Sequence, residues 1–207
     1  MMESDDRQAG AVILKDLALF NKAAIYMETE IDPLVRQEVS AAVAEWLEAH
    51  SWKGEADASE SFDELWVAPP QWVGESDTSC IASFCLSRRS GSDSNSYEIA
   101  DLFGVGETSY GFRFEVDYGS FGGRSGWNAY AKTLSDLAQK LGELGWSHEG
   151  KGVFFRPVGL PSDQLESAWT NEDWSEATAP IGQALDALEA ALPIFGAIID
   201  GAKRKSE

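Results

Sequence analysis

Four carboxylates and one guanidinium lie close enough along the chain to suggest phosphodiester chemistry: Glu98, Asp101, Glu115 and Asp117, with Arg113. Carboxylates on adjacent strands can hold a magnesium ion, and a neighbouring lysine can activate the attacking water. No lysine follows Glu115 or Asp117 within two positions, and Arg113 cannot act as a base because its guanidinium stays charged. A magnesium-dependent nuclease using strand carboxylates is therefore only the second alternative.

Other chemistries lack their parts. His50 stands near a helix end and His148 beside a turn, with no HExxH or comparable spacing around either. Two histidines and two cysteines in these positions make no zinc array. There is no GxSxG, and Cys80 and Cys85 fall inside a strand-like run rather than at a helix N-terminus that would lower their pKa. Five residues apart, the two thiols belong on opposite strand faces, so a disulfide between them is geometrically poor. The glycine-rich GSFGGRSG lacks the Lys-Ser/Thr ending of a phosphate loop, and Gly104-Val105-Gly106 is followed by Glu107 outside any βαβ unit. No catalytic residue, cofactor or metal ligand is assigned.

The elements that would carry these residues can be read from periodicity. Tyr110, Phe112, Phe114, Val116 and Tyr118 alternate with Gly111, Arg113, Glu115 and Asp117, the pattern of a strand with one buried face. Upstream, Glu64–Ala68, Thr78–Ser87 and Tyr97–Phe103 read as three further strands, with SRRSGSDSNS as a mobile hairpin connection, and short links between them predict an antiparallel meander. Ala11–Met27 reads as a helix. A second helix starts at Asp32-Pro33, as N-cap and first residue, and carries Val35, Val39, Val43, Trp46 and Leu47 on one stripe to an end near His50. Trp127 to Leu144 is a third helical stripe, Trp146–Pro157 a hairpin, and Pro161-Ser162-Asp163 the opening of a short helix. The stripe from Trp174 to Ile199 predicts a long final helix, broken or bent at Pro180 or Pro193.

The fold class is α+β. An antiparallel sheet of about four or more strands covers residues 64–118, a small hairpin lies at 146–157, and N-terminal, central and C-terminal helices pack on them. A single domain over 1–207 is expected, with a helical N-terminal part at 8–50, sheet at 62–118, a mixed part at 125–160 and a helical C-terminal part at 161–203. The 207 residues, 43% of them hydrophobic and 11% aromatic, suffice for a sizeable core.

Charge is the outlier. Thirty-five acidic against 16 basic residues give −19, far beyond the magnitude of roughly 2–8 comfortable for a small domain. The acidity spreads over folded segments, and only 119–160 is mildly basic, so it predicts a structured acidic surface rather than an acidic tail. Such a surface repels nucleic acid and anionic membranes and favours a basic partner. Carboxylates on rigid helices can approximate phosphate spacing and occupy a nucleic-acid-binding channel. That is how nucleic-acid-mimic inhibitors of phage or mobile elements and immunity proteins against nuclease toxins work as classes.

The expected function is a non-enzymatic acidic binding or inhibitor protein. Its basic partner would be a nucleic-acid-binding enzyme or effector complex, with no direct nucleic acid, no membrane, and self-association allowed. Candidate partner-binding residues are Glu38, Glu45, Glu48, Trp66, Trp72, Glu115, Asp117, Glu172, Asp173, Glu176, Asp186 and Glu189, with Trp52 as a further aromatic candidate. The first alternative is an acidic assembly subunit docking through Ile194, Phe195, Ile198 and Ile199 of the C-terminal helix. An acidic start (MMESDDRQAG) and the lack of an apolar run of about 18 residues predict neither leader nor transmembrane helix, hence a cytoplasmic location.

Overall fold

The structure, a computed structural model, describes residues 4–74, 79–89 and 96–206. Thr78 and Ser90–Asn95, where the second strand was expected to start and the hairpin connection to run, lie outside the described residues. Residues 4–50 are helical with one interruption, at Asp16: α1 (Ser4–Lys15), α2 (Leu17–Tyr26), a π-helical turn (Met27–Ile31) and α3 (Asp32–His50). Asp32-Pro33 opens α3 but does not cap it, because Ile31 is itself helical. The Asp32 carboxylate instead accepts from Arg36 Nε at 2.8 Å. The helix stops at Ser51, which turns left-handed at φ 57°.

Short strands follow: β1 (Lys53–Glu55), β2 (Trp66–Ala68) and β3 (Ala82–Arg88). The segment expected as the next strand, Tyr97–Phe103, is corrected to a single helical turn, α4 (Glu98–Leu102). Ile99, Leu102 and Phe103 are buried, a spacing of three and four that suits a helix face; seven residues with few apolar positions fit either period. β4 (Tyr110–Val116) then enters the sheet centre. After α5 (Gly123–Ala131) and α6 (Ser135–Glu143), two helices where one stripe was expected, comes the hairpin β5 (Ser147–Gly150) and β6 (Val153–Pro157). Its two-residue turn places Lys151 at φ 53° and Gly152 at φ 75°, the left-handed pair such turns require. α7 (Leu165–Asn171) and α8 (Ser175–Ser206) complete the chain.

The described strands form one antiparallel sheet in the order β1-β2-β3-β4-β6-β5. Register puts Phe84 opposite Phe114 and Phe114 opposite Phe154, and all three rings pack on Phe195 of α8, with centroids 5.0, 4.6 and 5.7 Å away. Trp72 packs on Phe84 and Phe114, Trp146 on Phe84 and Phe195, and the Val35–Val39–Val43–Trp46 stripe of α3 joins the same core. Alternation places Trp66, Cys85, Arg113 and Phe155 in a row on the other face.

α8 runs through both Pro180 and Pro193 without a break. Each proline removes one backbone hydrogen bond, at a cost of about 3 kcal/mol. Burial of Ile181, Leu185, Leu188, Phe195, Ile198 and Ile199 offsets it, since each large aliphatic side chain gains about 1.5–3 kcal/mol. By length and composition this helix could cross a membrane, with mean hydropathy 1.3 over its most apolar window; here its apolar stripe is part of the chain's own core.

Candidate protein-interaction surface

The carboxylates considered for metal chemistry do not converge. Glu98 accepts from Arg36 at 2.9 Å, Ser61 Oγ at 3.0 Å and the Phe62 amide at 3.4 Å, tying α4 to α3 and to the loop before β2. Burial pushes its pKa up, but the Arg36 and Ser61 hydrogen bonds outweigh this and hold the carboxyl below its ordinary value. Asp101 is fully buried and accepts from Arg88 Nε at 2.9 Å and from the Thr108 amide at 3.1 Å. Glu115 stands on the outer sheet face beside Cys85. Asp117 caps the turn after β4, accepting from the Gly119 and Ser120 amides, and hydrogen bonds from the Ser120 hydroxyl and these amides lower its pKa. The placement of Glu98 and Asp101 on a strand next to Glu115 and Asp117 is therefore corrected: arginines hold the first two on a helix. Among the described residues no three His, Cys, Asp or Glu side chains gather to hold a metal.

The scarce nucleophiles and bases have structural neighbours. Burial pushes the Cys85 thiol up to about 12, and Glu115 adds to the shift. His50 stacks on Trp46 at 4.3 Å with Nδ1 3.0 Å from Glu189, and His148 stacks on Phe154 at 4.7 Å.

The acidic candidates divide into two groups. On one side, α3 packs along α8 and α7 crosses nearby. Glu38, Glu172, Leu34, Trp169 and Trp174 enclose a hollow of about 410 Å³. Past α7, a second hollow of about 330 Å³ is walled by Asp163, Asp173 and Glu176. Asp173 accepts from the hydroxyl and amide of Ser175, which lowers its pKa and caps α8. Glu45 and Glu48 are exposed on α3. Asp186 and Glu189 of α8 reach Trp46 and His50 and remain 65% and 48% exposed.

The second group, Trp66 and Glu115 with Asp117 just beyond, belongs to the outer face and end of the sheet. Two aromatic candidates are corrected outright: Trp72 and Trp52 are 4% and 6% exposed and pack on Phe84. Their loop-flanking positions resemble those of exposed tryptophans, but the sheet edge folds them inward. The tryptophan that stays exposed is Trp169, on α7; the short helix is expected from Pro161-Ser162-Asp163, but too few apolar positions follow to show which side of it is open, so neither Trp169 nor Asp163 is among the sequence candidates.

A third hollow, about 370 Å³ and almost wholly apolar, opens on the other side of Trp169 and Trp174, where Met27, Ile31, Ile99, Phe103 and Val105 meet. From its edge α2 and α1 lead away with no buried residue on α2. Val12, Leu14, Leu17, Leu19 and Ile25 are more than half exposed there; of the N-terminal helices, α3 is the one that packs into the core. Periodicity identified the helix, but it does not specify what covers it. No protein-family model, no curated protein and no solved structure matches this chain.

Proposed function

We propose that the protein is a non-enzymatic acidic binding protein whose α3–α7–α8 side engages a basic surface on a nucleic-acid-binding partner, in the manner of nucleic-acid-mimic inhibitors or immunity proteins. The observation that carries this reading is the pair of acidic hollows flanking α7. Glu38 and Glu172 stand over a tryptophan floor on one side, and Asp163, Asp173 and Glu176 line the other. Glu38 and Glu176 sit on α3 and α8, which pack into the core, while Glu172 and Asp173 lie in the short turn joining α7 to α8, where Ser175 holds Asp173, so binding costs little ordering entropy at these positions. Trp169 supplies the amphipathic anchor that interface hot spots favour. With −19 overall, the chain steers towards cations at long range.

We assign it to the cytoplasm, in keeping with two unpaired thiols, Cys80 and Cys85. Of the residues offered for the assembly alternative, Phe195, Ile198 and Ile199 are 0–1% exposed and Ile194 is half-buried, so the acidic side supports the first reading better.

The test is capture of proteins from a cell extract on immobilised chain at about 0.1 M and about 0.5 M salt, followed by measuring nucleic-acid binding of the captured protein with the chain added. Salt-labile capture of a basic protein that then loses its nucleic acid supports the reading. Capture indifferent to salt, or nucleic-acid binding left intact, overturns it.

A further inference from the structure

The arm formed by α1 and α2 is the least explained feature of the molecule, and it lies at the mouth of the apolar hollow. Eight large apolar side chains between Val12 and Tyr26 are 41–72% exposed, on the order of 800 Å² of surface, the amount each partner contributes to a standard interface. They are distributed around the helix rather than along one stripe. A helix that is apolar all round belongs in a buried setting, enclosed from at least two sides.

A membrane would enclose it, but Lys15, Asp16, Asn21 and Lys22 interrupt the arm in mid-length. A charge at a bilayer centre costs about 2.5–3.5 kcal/mol on insertion scales. At 100° per residue Lys15 and Lys22 share one side, but Leu19 and Tyr26 fall on that same side while Asp16 and Asn21 lie on others, which leaves no clean polar face for a helix lying in the interface.

A second copy of the chain supplies both missing surfaces. One is its own arm, equally apolar; the other is its hollow between Ile31, Val105 and Trp169, which the first copy leaves open. The charges fit as well. The arm from Ser4 to Tyr26 is balanced, with three acidic and three basic residues, on a chain that otherwise carries the whole −19. Its cations Lys15 and Lys22 would meet Glu166 in the hollow's wall and Glu28 and Glu30 at its edge. The π-helical turn at Met27–Ile31 joins arm to body, the kind of irregularity at which helices bend.

We propose that two copies exchange arms in a two-fold dimer, each arm packing on the partner's arm and in the partner's hollow. This does not rest on the acidic binding reading. The apolar hollow shares Trp169 and Trp174 with one acidic hollow as a dividing wall, but none of the acidic residues of the α7 hollows lines it, and the dimer is held by apolar burial that outlasts salt.

Full-length chain at about 100 µM, by light scattering, should have twice the chain mass in about 0.1 M and about 0.5 M salt alike. An arm variant (Leu17→Ser with Phe20→Ser) and a hollow variant (Val105→Asp) each change exposed side chains, so circular dichroism should be unaltered. Each should weaken dimerisation at least tenfold. Mixing the two variants should restore a dimer in part, because one intact arm then meets one intact hollow. A monomeric wild type overturns the proposal, as does a Val105→Asp chain that dimerises normally, or a mixture that recovers nothing. Flotation of monomeric wild type with phosphatidylcholine vesicles would assign the arm to a membrane instead.

Discussion

Trp46 Nε1 donates a 2.8 Å hydrogen bond to Asp186 Oδ1, joining α3 to α8 across 140 residues of chain. The indole is 7% exposed and packs edge-on against Trp52, while the carboxylate stays in contact with water. This bond joins the two helices that carry six of the ten acidic candidates: Glu38, Glu45 and Glu48 on α3 and Glu176, Asp186 and Glu189 on α8.

Replacing Trp46 with Phe removes the donor and also empties part of the space the buried indole fills, so the expected cost is about 2 kcal/mol, or a fall in Tm of about 6 °C for a chain of this size. Asp186→Ala, which removes only the exposed acceptor, should cost about 1 kcal/mol. The double variant should cost less than the sum, which denaturant unfolding of all four proteins would measure.

Glu98 makes stability depend on pH in a definite direction. Its folded pKa lies below the ordinary 4.5 because the Arg36 and Ser61 bonds outweigh burial. A depressed folded value means that the contribution is fully present above the unfolded pKa and is lost as pH falls through the folded one. Asp63, raised by burial and by Glu98, works in the opposite sense. Unfolding free energy should therefore fall on acidification below about pH 4.5. Glu98→Gln should flatten that slope while lowering stability at pH 7, because Arg36 is left 7% exposed with one carboxylate. An unchanged slope would assign the acid sensitivity to other groups.

Cys85 should be chemically quiet. With its thiol pushed up to about 12, the thiolate fraction at pH 8 is roughly a thousandfold below that of an ordinary exposed cysteine. In a Cys80→Ser chain, alkylation at pH 8 should proceed at least a hundredfold faster in denaturant than in native buffer. Equal rates would mean that the outer sheet face opens readily.

The alternation Tyr110–Tyr118, the α3 stripe and the C-terminal stripe were legible because each repeats its period several times. Tyr97–Phe103 was misread because one helical turn and one short strand use the same few apolar positions. β1 gave no signal, since Lys53–Glu55 is polar and exposed and joins the sheet only through its backbone pairing with β2. The acidic residues of α3 and α8 could be named from the sequence. The division of the candidates between the helices around α7 and the outer sheet face, where Glu115 stands, depends on strand register and helix packing, which composition does not encode. Trp72 and Trp169 make the same point in opposite senses: identical side chains, one in a short turn and sealed against Phe84, the other on α7 and open to solvent.

The most direct measurement is competition for a captured partner's nucleic acid by wild-type chain and by a variant with Glu38→Gln, Glu172→Gln, Asp173→Asn and Glu176→Gln. These changes keep shape and the α8 cap while removing four charges. The wild type should displace the nucleic acid with an affinity that falls steeply between about 0.1 and about 0.5 M salt, and the variant should bind at least a hundredfold more weakly. Equal displacement by the two proteins, or displacement that does not respond to salt, would contradict an acidic binding surface at α7.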